Sequence, residues 1–239
     1  MDIDKAFVLH SMDYKDSSKI LYLYSEKGHF SVIAHRVKKL DSINRFLSQN
    51  GTMIQLTTSK GSFPSLVEGK LLKEYNKIKQ DIYKYSYMNH IMELVRNVVS
   101  DDLDHSRMFQ FLDKIFTLMN DTDQPDILSF IFELKLLYFI GYGLNFKHCQ
   151  VCNDNENLVF HVSSGGLTCL KHLKYGDMSF TSDIYNILKH LYYIDVSKDP
   201  LPQIEPQIKP IIRNIIDMIY DEFISFKTKS REIIRQIEK

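Results

Sequence analysis

Three cysteines and one histidine stand out by their spacing: Cys149-x-x-Cys152, sixteen intervening residues, then Cys169-x-x-His172. Two such knuckles, each at a tight turn, set thiolate and imidazole donors at the corners of a tetrahedron, the geometry that zinc accepts. Four protein donors fill the coordination sphere and leave no position for water, so one structural Zn2+ per chain is expected and not a catalytic ion. Gly165-Gly166, just before the second knuckle, lets the chain turn back with φ above zero. The surrounding segment, residues 145–178, has few apolar side chains (Leu158, Val159, Phe160, Val162, Leu167). A metal would supply the missing order, on the order of 10 kcal/mol for such sites. His148 and His161 are nearby but do not complete the second knuckle. An odd, clustered set of three cysteines also fits a reducing compartment better than a disulfide framework. A nucleophilic cysteine with a histidine partner is the competing chemistry, but no oxyanion loop or Asn/Asp orienter accompanies it. Nor does the chain carry H-E-x-x-H, a Walker-type glycine loop or a nucleophile elbow, so no enzymatic activity is expected.

The second group with chemical potential is basic. His35-Arg36-Val37-Lys38-Lys39, followed by Arg45, comes directly after an expected strand, and Lys60 follows the next one. Cations in such a loop, beside rings such as Tyr22, Tyr24 or Phe30, suit single-stranded nucleic acid, with charge tracking phosphates and rings stacking on bases. An ordinary solvated loop over core aromatics is the plainer reading of the same residues. Formal charge is zero overall, but residues 1–79 carry thirteen Lys/Arg against eight Asp/Glu, leaving the remainder correspondingly acidic. A second cluster, Lys227-Thr228-Lys229-Ser230-Arg231, reads as the favourably charged C-terminal end of the last long helix.

The elements that must position these residues fall into two regions. Up to residue 79 the chain reads as strands and turns: Ala6–His10, Lys19–Tyr24, His29–Ala34, Gly51–Thr58 and Leu66–Tyr75, the second and third joined by a turn ending at Gly28. Five short strands suggest a small antiparallel barrel. An OB-fold fits the count, and so does an SH3-like barrel. From residue 80 the period becomes helical, with Ile82, Tyr85, Met88, Ile91, Met92, Val95 and Val99 on one face. Met108–Met119, Asp123–Tyr142, Ser182–Tyr193 and Ile208–Phe226 continue in that manner. No signal peptide is visible, and no run of about 18 apolar residues exists to span a bilayer. A cytoplasmic protein without membrane attachment is expected.

In order and spacing these features resemble the RecO family of bacterial recombination mediators over nearly the whole chain. The resemblance is carried by Ala6-x-Val8-Leu9 with Tyr14 and Lys19-Ile20-Leu21, by Ala34-His35-Arg36-Val37-Lys38-Lys39-x-x-Ser42, and by Tyr87 to Glu93-Leu94. Phe132-Glu133-Leu134 with Gly141-Tyr142, the cysteine segment with Phe160 and Gly165-Gly166-Leu167, and Lys229-Ser230-Arg231 complete it. Three positions depart from the family pattern: His172 replaces a usual cysteine, Arg36 a common glycine, and Asp41 a common basic residue. The resemblance implies an α+β multidomain protein: an N-terminal OB-fold β-barrel at 1–79, a helical domain at 80–239, and a zinc-binding insert at 145–178. It further implies binding of ssDNA and dsDNA, strand annealing, and assistance to RecA on SSB-coated strands, with RecR and the SSB C-terminal tail as partners, at the bacterial nucleoid. The expected DNA-contacting residues are Arg36, Lys38, Lys39, Arg45 and Lys60, with Lys227, Lys229 and Arg231 as a weaker partner-binding set. A zinc-containing protein–protein adaptor without direct DNA binding is the alternative.

Overall fold

In a computed structural model, residues 1–40, 42–174, 177–224 and 226–237 are described; Asp41, and Tyr175 and Gly176 of the cysteine segment, lie outside them. The five expected strands form as β1 (Asp2–Tyr14), β2 (Ser18–Ser25), β3 (Gly28–Ala34), β4 (Met53–Thr58) and β5 (Leu66–Lys73), an antiparallel sheet in the order β3-β2-β1-β4-β5. A three-stranded sheet follows in the cysteine segment, from β6 (Leu158–His161), β7 (Gly166–Cys169) and β8 (Ser179–Phe180). The helices are α1 (Asn44–Leu47), α2 (Asn76–Lys79), α3 (Ile82–Val98), α4 (His105–Asp121), α5 (Pro125–Phe139), α6 (Ser182–Tyr193), α7 (Lys209–Phe223) and α8 (Lys229–Ile237). The chain is thus α+β, and among the described residues no helix is long and apolar enough to cross a membrane. Packing groups it into two compact units, Met1–Pro125 with Thr228–Lys239, and Asp126–Lys227.

In the first unit the sheet curls around its own core. Ala6, Val8, Leu21, Leu23, Val32, Ile54 and Leu56 are buried together on its concave face. Phe7 points the other way, its ring 5.1 Å from Phe109 and 5.6 Å from Phe116 of α4. Because β1 is covered on both faces, Ala6–Leu9 is an uninterrupted apolar run and not an alternating one. Bulges in β1, between Val8 and His10 toward β2 and between Ile3 and Ala6 toward β4, supply the bend. The curl brings the outer strands together at one point, where the Ile33 N–H donates to the Pro64 carbonyl at 2.9 Å and Ile33 bridges Ser65 in parallel sense. The pairing does not run on from there. The described sheet is open, where the strand count alone leads one to expect a closed barrel.

The helices begin where their caps allow. The Asp81 carboxylate accepts the Tyr83 and Lys84 N–H groups at the start of α3, and that of Asp104 accepts the Arg107 N–H at the start of α4. The C-terminal basic cluster corrects the expectation. Instead of closing the preceding helix, which stops at Phe223, Lys229-Ser230-Arg231 opens α8. The Glu93 carboxylate of α3 accepts the N–H groups of Lys229 at 3.0 Å and Ser230 at 2.9 Å, capping α8 from another element. Beside it, Ser230 Oγ and His90 Nδ1 lie 2.8 Å apart in a buried contact.

Partial burial opposes ionisation of Glu93, yet the bonds from Ser230 and Lys229 outweigh it and hold its pKa below the ordinary carboxylate value. A carboxylate whose folded pKa is depressed stabilises the fold above its ordinary pKa, and that contribution is lost as acid protonates it. Glu93→Gln is therefore expected to lower the melting temperature at neutral pH, by the equivalent of about 1 kcal/mol for a lost cap. The difference from wild type should shrink in thermal melts run below pH 4.5, the group's ordinary value.

Candidate metal centre and basic groove

The first knuckle is shaped by the backbone. The Cys149 N–H donates to the Asp154 carbonyl at 2.8 Å and the Asn153 N–H returns to the Cys149 carbonyl at 3.0 Å, with Asn153 in the left-handed region at φ 59°. The second knuckle leaves the end of β7, where Cys169 pairs with Leu158 of β6, and turns through a short 3-10 segment at Leu170–His172. Backbone bonds stitch the two together: Gln150 N–H to the Leu167 carbonyl at 3.0 Å, and Leu167 N–H to the Asn145 carbonyl at 2.9 Å. Gly166 bridges Asn145 in parallel sense at this seam. A Cβ there would sit 2.6 Å from the Asn145 carbonyl oxygen, so no larger residue fits without moving the backbone.

All four expected donors converge, with Cys149, Cys152 and Cys169 Sγ and a ring nitrogen of His172 lying within 4.8 Å of one another. The Cys152–Cys169 sulfur separation is 3.8 Å, and His172 Nδ1 stands 3.7 Å from Cys149 Sγ and 3.2 Å from Cys169 Sγ. Metal–ligand lengths of about 2.3 Å to sulfur and 2.0–2.1 Å to nitrogen at tetrahedral angles require edges of roughly 3.8 Å for S–S and 3.5 Å for S–N. The cage therefore has the right size and donor chemistry for such an ion. His148 and His161 are engaged elsewhere: His148 Nδ1 lies 3.2 Å from the Cys149 carbonyl, and His161 Nε2 lies 3.5 Å from the Asp177 carboxylate.

Electrostatics within the cage point the same way. Burial works against a charged Cys149, but the Cys169, Cys152 and Val151 N–H groups and His172 pull its thiol down to about 6. Cys152 is shifted the opposite way: the Asp154 N–H lowers it, but burial and the neighbouring Cys149 and Cys169 sulfurs outweigh that and raise it. A cation placed among the sulfurs would relieve that mutual opposition and favour the thiolate forms. Beneath the knuckles Phe146 stacks on Phe160 at 5.5 Å and meets Tyr192 of α6 at 5.6 Å, so the segment rests on aromatic packing as well as on its ligands.

The basic residues distribute unevenly. Lys38 and Arg45 line one groove of about 790 Å³ in the first unit, together with Lys19 and Lys79, which their remoteness in sequence had hidden. Arg36, with φ 58°, and Lys39 are exposed on the turn beside Lys38. Lys60 does not join them; it lines a separate hollow with Phe30 and His29. The rings expected to stack also divide. Tyr24 is buried, its hydroxyl 3.1 Å from His105 Nδ1, and cannot face a base. Phe30 packs against the sheet core and Tyr22 is half-buried. The exposed apolar residues near the basic turn are instead Leu40, Ile43 and Phe46, at 82%, 61% and 48% exposure. Of the C-terminal set, Lys227 and Lys229 are exposed, whereas Arg231 is buried at 7% exposure and serves the packing of α8.

Comparison with known proteins matches the family described as Recombination protein O N terminal over residues 1–75, and that described as Recombination protein O C terminal over residues 79–232. The DNA repair protein RecO of Bacillus cytotoxicus is 26% identical over 243 residues, covering 98% of this chain and 97% of the relative. The DNA repair proteins RecO of Bacillus cereus strain AH187 and of Bacillus anthracis are 25% identical with the same coverage.

Purified protein should contain about one zinc per chain, and Cys169→Ser should abolish that content. His172→Cys should retain it as a four-thiolate site, whereas His172→Ala should weaken affinity. Chelation should expose residues 145–178 to limited proteolysis before the remainder of the chain is cut. Equal resistance with and without chelator would refute the bracing role.

Proposed function

The chain belongs to the RecO family of recombination and DNA repair proteins, and from that premise we propose that it acts as a non-enzymatic mediator on DNA. In this reading it binds ssDNA and dsDNA, anneals complementary strands, and helps RecA onto SSB-coated strands together with RecR, in the cytoplasm at the nucleoid. The order β3-β2-β1-β4-β5, with β3 touching the residue that leads into β5 at Ile33 and Ser65, supports an OB-type N-terminal domain. Zinc, held by Cys149, Cys152, Cys169 and His172, would brace the cysteine segment; its filled coordination leaves no position for reaction chemistry.

The observation that carries DNA handling is the groove in which Lys38 and Arg45 meet Lys19 and Lys79. Annealing requires two phosphate backbones to approach, and a row of cations relieves their repulsion and gains free energy by releasing condensed counterions. Arg36 and Lys39 extend the same positive face outside the groove. Among the described residues Asp13 is the one acid on the groove wall, and Lys38 already holds it at 3.2 Å. Lys60 is a weaker contributor, since it lies apart. Exposed Lys227 and Lys229 are candidates for carboxylate recognition, as on the acidic tail of SSB; Arg231 is too buried for that role.

Lys38→Glu with Lys39→Glu should weaken single-strand binding at least tenfold at low salt and flatten the dependence of log affinity on log salt, by roughly 0.7 for each phosphate that is no longer neutralised. Fluorescence anisotropy across several salt concentrations, with annealing followed on the same preparation, measures both. Wild-type behaviour in the double variant would remove this assignment. If the unaltered chain fails to shift any oligonucleotide at low salt, the protein-only adaptor takes its place.

A further inference from the structure

The same groove contains two residues from beyond the strand region that a basic loop does not explain. Lys79 ends α2, and Tyr85 lies one turn into α3; both line the groove that Lys38 also lines. Tyr85 is half-buried and its side chain has no hydrogen bond or ring partner among the described residues, although Tyr75, Tyr83 and Tyr87, near it in sequence, are all engaged. An unengaged ring on a groove wall has a free face to offer. Lys79 is equally unusual. Its ammonium donates to the Gln49 side-chain oxygen at 3.1 Å, and no carboxylate pairs with it among the described residues. Burial pulls its pKa down, with Glu74 only partly offsetting the effect, so its charge is incompletely compensated where it stands. A half-buried cation in that condition is stabilised by an arriving anion.

We propose that Tyr85 and Lys79 form a single-strand subsite in which the Tyr85 ring stacks on an unpaired base while Lys79 holds the adjoining phosphate. This rests on the reading that the chain binds DNA and adds what makes the groove distinguish single strands from duplex. A base within a duplex is already stacked on its neighbours and cannot lie flat on a protein ring, whereas an unpaired base can. The rest of the lining favours a polynucleotide over an acidic peptide. Ser11, Ser48 and Asn50 contribute polar groups suited to sugar and base edges, and besides Tyr85 the apolar part of the described lining is Val37, which is buried, and Leu40, which is largely exposed. The cations are also spread over β2, the turn at 37–40, α1 and α2, a distribution that follows an extended backbone.

The test uses the full-length protein with a labelled oligothymidine and a duplex of equal length. Tyr85→Leu removes the ring while conserving apolar bulk, Tyr85→Phe keeps it, and Lys79→Gln keeps the Gln49 contact while removing the charge. Circular dichroism melts confirm folding of each. The expected result is about tenfold weaker single-strand binding for Tyr85→Leu, near-wild-type binding for Tyr85→Phe, and duplex affinity unchanged in both. Lys79→Gln should lower the single-strand salt slope by about 0.7. Single-strand affinity unaltered in Tyr85→Leu, or single-strand and duplex affinities falling together, would overturn the subsite and leave DNA binding standing. An unaltered chain that binds neither oligonucleotide would overturn both. Loss in Tyr85→Leu of binding to an acidic peptide, with nucleic-acid binding intact, would assign the groove to protein and also overturn the proposal.

Discussion

Glu133 and Arg213 form the buried ion pair that joins α5 to α7 within the second unit. The guanidinium of Arg213 on α7 donates two hydrogen bonds, each 2.7 Å, to the two carboxylate oxygens of Glu133 on α5, and both side chains are buried. Asp217 adds a second carboxylate 2.8 Å from the same guanidinium, Ser129 donates to Glu133, and the Tyr220 hydroxyl donates to its backbone carbonyl. Removing one member of such a buried set strands a charge in an apolar surround, at a cost of about 3–5 kcal/mol. The consequence reaches the cysteine segment, which leaves the chain after α5 and packs its turn at Val162–Ser164 against α7. The metal ligands are presented from a base whose two helices are locked in register by this pair. A metal held by the four donors would organise the segment locally, while the ion pair fixes the base from which the segment rises.

How far this could be read in advance varied with the range of the physics involved. The convergence of Cys149, Cys152, Cys169 and His172 was legible because two short-spaced knuckles bring their donors together within a short stretch of chain. The long helices were legible from period, α6 to the residue, because burial on one face writes itself into every third or fourth position. Strands β6, β7 and β8 were not, since runs of two to four residues carry no period and owe their pairing to the turn at Gly165 and to the knuckles. α8 was missed for a related reason: it is nine residues long, largely polar, and its first turn is capped by a side chain far away in sequence.

The groove shows the same limit from the other side. Lys38 and Arg45 are close in sequence and advertised themselves as a cluster. Lys19 and Lys79 reach the same cavity from β2 and α2 and carry no local sign of it. Tyr24 misled in the opposite direction, because an aromatic in a strand looks the same whether it faces solvent or, as here, lies under α4 beside His105. Charge and ring type are sequence properties; shared location is a property of the curled sheet.

One consequence concerns the order in which the protein can be built. The contact between His90 and Ser230 spans 140 residues, and α8 joins a compact unit whose other elements all precede Asp126. A ribosome therefore delivers the five-stranded sheet and helices α1 to α4 long before the helix that completes them, and every residue of the second unit must emerge in between. During that interval the face of α3 that carries His90 and Glu93 is left without its natural cover, and loop closure over so long a stretch is slow compared with local folding. Joining α8 to the first unit therefore costs more loop-closure entropy than joining an element to its neighbour in sequence.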